Sequence, residues 1–213
     1  MNSKAENRFV FIDTETGGTI PTKHSLLQSG VVVWEHGIGV LAHKEFHIKH
    51  KEYTMTKEAQ RINKFSLEFY NEKAQEPKKV IDELLCFLRG YFESNTLIPI
   101  IGHNIQFDIA FLKEFFKANN RSFNQYFSHR MIDTYSVYKT LVLSGKIEEN
   151  LNSSADVFKY FNIKIDNRHT AIDDCFATVE LYEKLINIIA HYVFEQDKGV
   201  GLTVITFYFY IRD

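Results

Sequence analysis

The chain is poor in cysteine, nearly free of net charge and without a long apolar run. Its only cysteines are Cys86 and Cys175, and they form no CxxC pair. The economical reading is a reduced, cytosolic protein in which both thiols serve as small core residues. Lysine and arginine (25) almost balance aspartate and glutamate (27), leaving a formal charge of −2. Global charge therefore gives no pull toward nucleic acid, and a polyanion would have to be held by a local basic patch or by metal ions. No charged segment followed by an apolar stretch opens the chain, and no uninterrupted apolar run approaches the ~18 residues that span a bilayer. The expectation is a soluble, cytoplasmic protein with no membrane partner. Internal repeats and low-complexity linkers are also missing. With 213 residues, 45% hydrophobic and 24% charged, the composition is that of one well-packed domain with a short appendage. We place the domain at 1–195 and a strand-like extension at 196–213.

What is present begins with RFVFIDTETGG, residues 8–18. Phe9, Val10, Phe11 and Ile12 read as a buried strand that runs out at two acids before a Gly-Gly turn. Residues two apart on a strand share a face, so Asp13 and Glu15 aim two carboxylates at one spot. Like charges that close call for a shared proton or a bound cation. Residues 26–34 and 39–48 follow as a second and third strand joined by a hairpin at 35–38. A helical period starts at Thr56, and a strongly amphipathic helix starts at Pro77. A fourth strand at 97–102 leads into a helix whose apolar face is Phe107, Phe111, Leu112 and Phe115. A fifth strand at 130–133 ends at a helix cap, Asp133 or Thr134. Ser153 and Ser154 suit the next cap, the loop DNRH covers 166–169, and a long helix runs from Thr170 to about Val193. The order of elements implies an α/β fold: a mixed sheet, its first three strands antiparallel, with helices packed on it. The stretch 202–210, LTVITFYFY, is strongly β-prone and reads as an edge strand or as a partner-pairing arm.

Four carboxylates and one histidine fall at the ends of these elements. Asp13 and Glu15 end the first strand, Asp108 opens the helix after the fourth, and Asp174 lies one turn into the last helix, five residues after His169. Hard carboxylate oxygens favour Mg²⁺ or Mn²⁺ over Zn²⁺. Three or four of them suit two such ions ~3.5–4 Å apart, the arrangement that serves phosphodiester hydrolysis. A histidine, with an ordinary pKa of ~6.5, suits the task of taking the proton from water. Asp173 reads as a surface acid at a helix start. His24, His36, His43, His47 and His50 lack metal-ligand spacing and read as surface or edge residues. Lys49, Lys51, Lys57, Arg61 and Lys64 read as a solvated face before a rim for a nucleic-acid backbone.

Three motifs in order, FIDTETGG, GHNIQFDIAFL and HTAIDDC, resemble the DEDDh branch of the 3′→5′ exonucleases, the DnaQ-like group of the DNA polymerase III epsilon subunit, ribonuclease T and the TREX nucleases. The resemblance covers about residues 8–190. It implies a ribonuclease H-like fold with a five-stranded mixed sheet. It also implies that Asp13, Glu15, Asp108 and Asp174 hold two Mg²⁺ or Mn²⁺ ions with His169 as general base. The five-residue step from the histidine selects Asp174 over Asp173. Thr14, Thr16, Asn104 and Phe107 become candidates for contacting the terminal nucleotide, Phe107 by stacking. One departure stands out: the group often reads TETTG where this chain has TETGG, so that Gly17 should loosen the loop. The function implied is a metal-dependent exonuclease that removes nucleoside 5′-monophosphates from the 3′ end of a single-stranded nucleic acid, DNA before RNA. An RNA-trimming enzyme and a non-catalytic nucleic-acid-binding subunit are the alternatives. A DNA polymerase, or a second copy paired through 202–210, is the protein partner the reading leaves open.

Overall fold

The computed structural model describes residues 7–165 and 170–197. Two sequence-based expectations, the position of His169 and the strand at 202–210, lie outside the described residues. So does the extension at 196–213, apart from its first two positions.

Five strands form one sheet: β1 (Arg8–Thr16), β2 (Leu26–Glu35), β3 (Gly39–His47), β4 (Ile98–Gly102) and β5 (Phe127–Asp133), in the order β3-β2-β1-β4-β5. β1, β2 and β3 pair antiparallel, whereas β4 lies parallel to β1 and β5 parallel to β4. Seven helices accompany them among the described residues: α1 (Lys57–Ile62), α2 (Leu67–Lys73), α3 (Pro77–Arg89), α4 (Gln106–Ala118), α5 (Thr134–Leu143), α6 (Ser154–Tyr160) and α7 (Ala171–Asp197). The mixed five-stranded α/β architecture expected from the order of elements is the one observed.

The period-2 alternation of β1 decides what covers each side of the sheet. Val10 and Ile12 join Val80, Leu84, Ile109 and Leu112 in the core beneath α3 and α4. Phe11, one residue out of phase, packs with Trp34, Cys175 and Val179 beneath α7. β2 is covered on both sides and buried from Leu26 through Trp34, as its run of apolar residues requires. A third cluster, built on Tyr138, Val157, Leu181 and Leu185, ties α5 and α6 to the middle of α7. Trp34 anchors the same helix by donating its indole N–H to Glu183 Oε1 at 2.7 Å.

β1 ends as expected just past the acids, at Thr16 before the Gly-Gly turn, with Asp13, Thr14 and Glu15 in register with Gly30, Ser29 and Gln28 and the ladder disturbed only between Glu15 and Thr16. Other expectations need correction. β5 begins at Phe127 rather than at 130. Cys86 is exposed, because the buried stripe of α3 is Val80, Ile81, Leu84, Leu85 and Leu88 and position 86 falls outside it. His24 is buried, its Nδ1 accepting from the Ile20 amide at 3.0 Å. None of the described helices is long and apolar enough to cross a membrane.

Candidate active site

β1 and β4 run parallel, and the chain leaves both of their carboxyl ends at the same edge of the sheet, the usual location of sites in such architectures. Asp13 and Glu15 occupy the face of β1 that carries Phe11, the α7 face. They stand opposite Gly30 and Gln28 of β2. Glu15 is buried and Asp13 half-buried.

The start of α7 is set by a reciprocal cap. The Thr170 hydroxyl accepts from the Asp173 amide at 3.3 Å, as an N-cap does, and donates to the Asp173 carboxylate at 2.7 Å. Asp173 is thereby tied to the helix start. The next residue, Asp174, turns back to the sheet. One oxygen each from Asp13, Glu15 and Asp174 lie within 4.8 Å of one another.

Asp108 reaches the same end from the other side. It sits in the first turn of α4, buried, and its Oδ1 accepts a 2.7 Å bond from the Thr14 hydroxyl. It is not one of the three converging carboxylates. It is nevertheless close enough to act on them: the Asp13 carboxyl is pushed well above the usual carboxylate range by burial first, then by Asp108, Asp174 and Glu15. Burial likewise raises Asp108, to about 7, against the opposing pull of the Thr14 hydroxyl. The site is an acidic hollow in which charge is disfavoured until something positive enters it. Hard oxygen donors so crowded that Asp13 resists ionising fit a hard divalent cation.

The loop between β4 and α4 is tied to the start of α5, by the Thr134 hydroxyl at Gly102 and His103 and by Asp133 at Asn104. Asp133 Oδ1 accepts from the Asn104 amide (2.8 Å) and from the Tyr135 amide (3.1 Å), while Oδ2 accepts from the Ser136 hydroxyl (2.9 Å). The cap of α5 therefore also fixes Asn104, which sits in the left-handed region at φ 56°.

The four candidates for nucleotide contact divide in two. Asn104 and Phe107 are exposed, the Phe107 ring leaning on Phe111 at 5.1 Å between centroids. Thr14 and Thr16 are buried, and their hydroxyls are engaged within the protein, that of Thr16 by Gly18 O at 2.7 Å. The bond from Thr14 to Asp108 went unread in the sequence. The only signal was that Thr14 is out of phase with the acids and so faces the helix that carries Asp108. Gly17 does not loosen its loop. Its amide donates to Ser25 O and its carbonyl accepts from the Thr56 amide, both at 2.7 Å. A Cβ there would lie 2.3 Å from Thr54 O, so the glycine admits a close backbone crossing.

The family model RNase_T, described as Exonuclease, matches residues 10–182. Among solved structures, exonuclease I superimposes with a TM-score of 0.72 at 20% identity over 90% of this chain and 44% of its own. E. coli exonuclease I in complex with a dT13 oligonucleotide gives 0.71 at 19% identity, covering 89% and 44%. Cell-death related nuclease 4 (CRN-4) gives 0.70 at 14% identity, covering 86% and 65%. The chain thus spans less than half the length of the exonuclease I structures it resembles. No curated protein sequence matches it.

Proposed function

The chain belongs to the RNase_T exonuclease family, and from that premise we propose that it is a metal-dependent 3′→5′ exonuclease acting on single-stranded DNA in the cytoplasm. The observation that carries the reading is the convergence of Asp13, Glu15 and Asp174 within 4.8 Å, with Asp108 close enough to raise the Asp13 carboxyl further. Asp13, Glu15, Asp174 and Asp108 would hold two Mg²⁺ or Mn²⁺ ions, which when bound would polarise the phosphodiester and lower the pKa of water. DNA is favoured because E. coli exonuclease I, which shares the fold, is seen with a dT13 oligonucleotide. Two free cysteines, one exposed and one buried, suit a reducing compartment.

In this reading His169 takes the proton from the attacking water. The water oxygen bonds to phosphorus, the bond to the 3′ oxygen of the penultimate nucleotide breaks, and that oxygen is protonated from solvent. A nucleoside 5′-monophosphate leaves. Phe107 supplies the exposed ring on which the terminal base stacks, and stacking of this kind is worth ~1–3 kcal/mol per base. Asn104, pinned by Asp133, positions the nucleotide.

The test is hydrolysis of a 3′-labelled single-stranded oligonucleotide in Mg²⁺. Replacing Asp13→Asn should abolish release of label, and His169→Ala should slow it by the ~10²–10⁴ typical of losing a general base. Wild-type rates in either protein would overturn the assignment. Competing DNA and RNA oligonucleotides in one reaction tests the sugar preference, and faster loss of the RNA would overturn the choice of DNA.

A further inference from the structure

The first turn of α7, which brings Asp174 to Asp13 and Glu15, lies directly on the backbone of β2. At Gly30, the residue paired with Asp13, a Cβ would stand 2.3 Å from Ala171 O and 2.4 Å from its carbonyl carbon. Those are backbone atoms, so no side-chain rotation relieves the clash. Two side-chain bonds close the same contact. Gln28, paired with Glu15, offers Oε1 to the Ala171 amide at 3.4 Å, and it also hydrogen-bonds Tyr70. The Cys175 thiol, beside Asp174 in sequence, donates to Gly30 O at 3.2 Å. Ala171 and Cys175 are fully buried. A glycine inside a strand normally weakens it, and it persists where another backbone must approach.

We propose that Gly30 and Gln28 are positioning residues for the metal site: together they seat the start of α7 at the one height on β2 that brings the Asp174 carboxylate to Asp13 and Glu15. They touch neither substrate nor the reacting atoms. Gly30 sets the distance by having no side chain, and Gln28 sets the rotation of the helix start by holding its first amide. Because Asp13 and Glu15 belong to β1 and pair with these same two residues, β2 is the common reference for all three carboxylates. The inference rests on the proposed metal-dependent function, and its test separates the two.

Gly30→Ala, wild type and Gln28→Met are compared by titrating Mn²⁺ into metal-free protein in a calorimeter, with far-UV circular dichroism as the folding control. Steady-state hydrolysis of the labelled oligonucleotide is measured in parallel. Folded Gly30→Ala should bind Mn²⁺ about 10–100-fold more weakly, as when an outer partner of a metal ligand is lost. Its kcat should fall about 10²-fold, the effect of an ångström-scale misplacement, while KM stays near that of wild type. A purely structural role would lower the melting temperature and leave Mn²⁺ affinity and kcat of the folded protein intact, which would overturn the proposal. If Gly30→Ala does not fold, Gln28→Met decides by the same measurements: weakened Mn²⁺ binding with lowered kcat supports the seat, and wild-type values overturn it. Wild-type protein that neither binds Mn²⁺ nor cleaves would instead overturn the functional reading beneath it.

Discussion

Thr14 shows how much a single hydroxyl can decide. It lies between the two acids of β1 in sequence, faces the other way, and holds Asp108 at 2.7 Å. In Thr14→Val the shape is kept and the donor is lost, so a buried carboxylate is left short of a partner. We expect a loss of about 1–3 kcal/mol in urea unfolding of the metal-free protein, together with slower hydrolysis. Unchanged unfolding would mean that Asp108 finds another donor. Residues of this kind are hard to read in advance. Asp13 and Glu15 announce themselves because two acids two apart after a β-branched run are chemically odd. Thr14 and Gly17 look ordinary, and their importance depends on what approaches them: Asp108 in one case, Thr54 O in the other. Cys86 was misread for a simpler reason, since one step in helical phase moves a side chain out of the buried stripe of α3.

At the level of elements, strands with unbroken apolar runs and helices with a clear period were legible, and so were the helix starts at 133–134 and 153–154, where Asp133 and Ser153 are the caps. The start of β5 was not, for it lies at Phe127 rather than at 130. Acids are poor strand formers by propensity, yet β1 continues through Asp13 and Glu15 because β2 lies alongside to pair with them. The seat at Gly30 was hidden by the same rule, for a lone glycine in a strand reads as a weak point until the helix it admits is known. Asp133 joins two elements at once. Asp133→Ala removes the cap of α5 and the acceptor for the Asn104 amide. Loss of such a cap costs about 1–2 kcal/mol, measurable as a lower urea midpoint at constant slope. With Asn104 released, KM for the oligonucleotide should rise more than kcat falls, whereas equal losses in both would separate Asn104 from substrate binding.

Over the whole molecule, the acidic hollow links stability to pH. Asp13 and Asp108 have folded-state pKa values raised above their ordinary ones, Asp108 to about 7. A raised folded-state value means the native chain binds protons more tightly than the unfolded chain. The stability this contributes is complete below the ordinary carboxylate pKa of ~3.9 and is lost as pH rises through the folded values. Melting temperatures of metal-free protein in EDTA should therefore fall between about pH 5 and pH 8 more steeply than those in Mg²⁺, where the cation takes over the role of the protons. Parallel curves with and without Mg²⁺ would contradict this account.

The three converging carboxylates come from positions 13, 15 and 174. On a ribosome, the first two emerge early and Asp174 follows about 160 residues later. A nascent chain thus cannot bring these three carboxylates together until α7 has been made and has settled on β2.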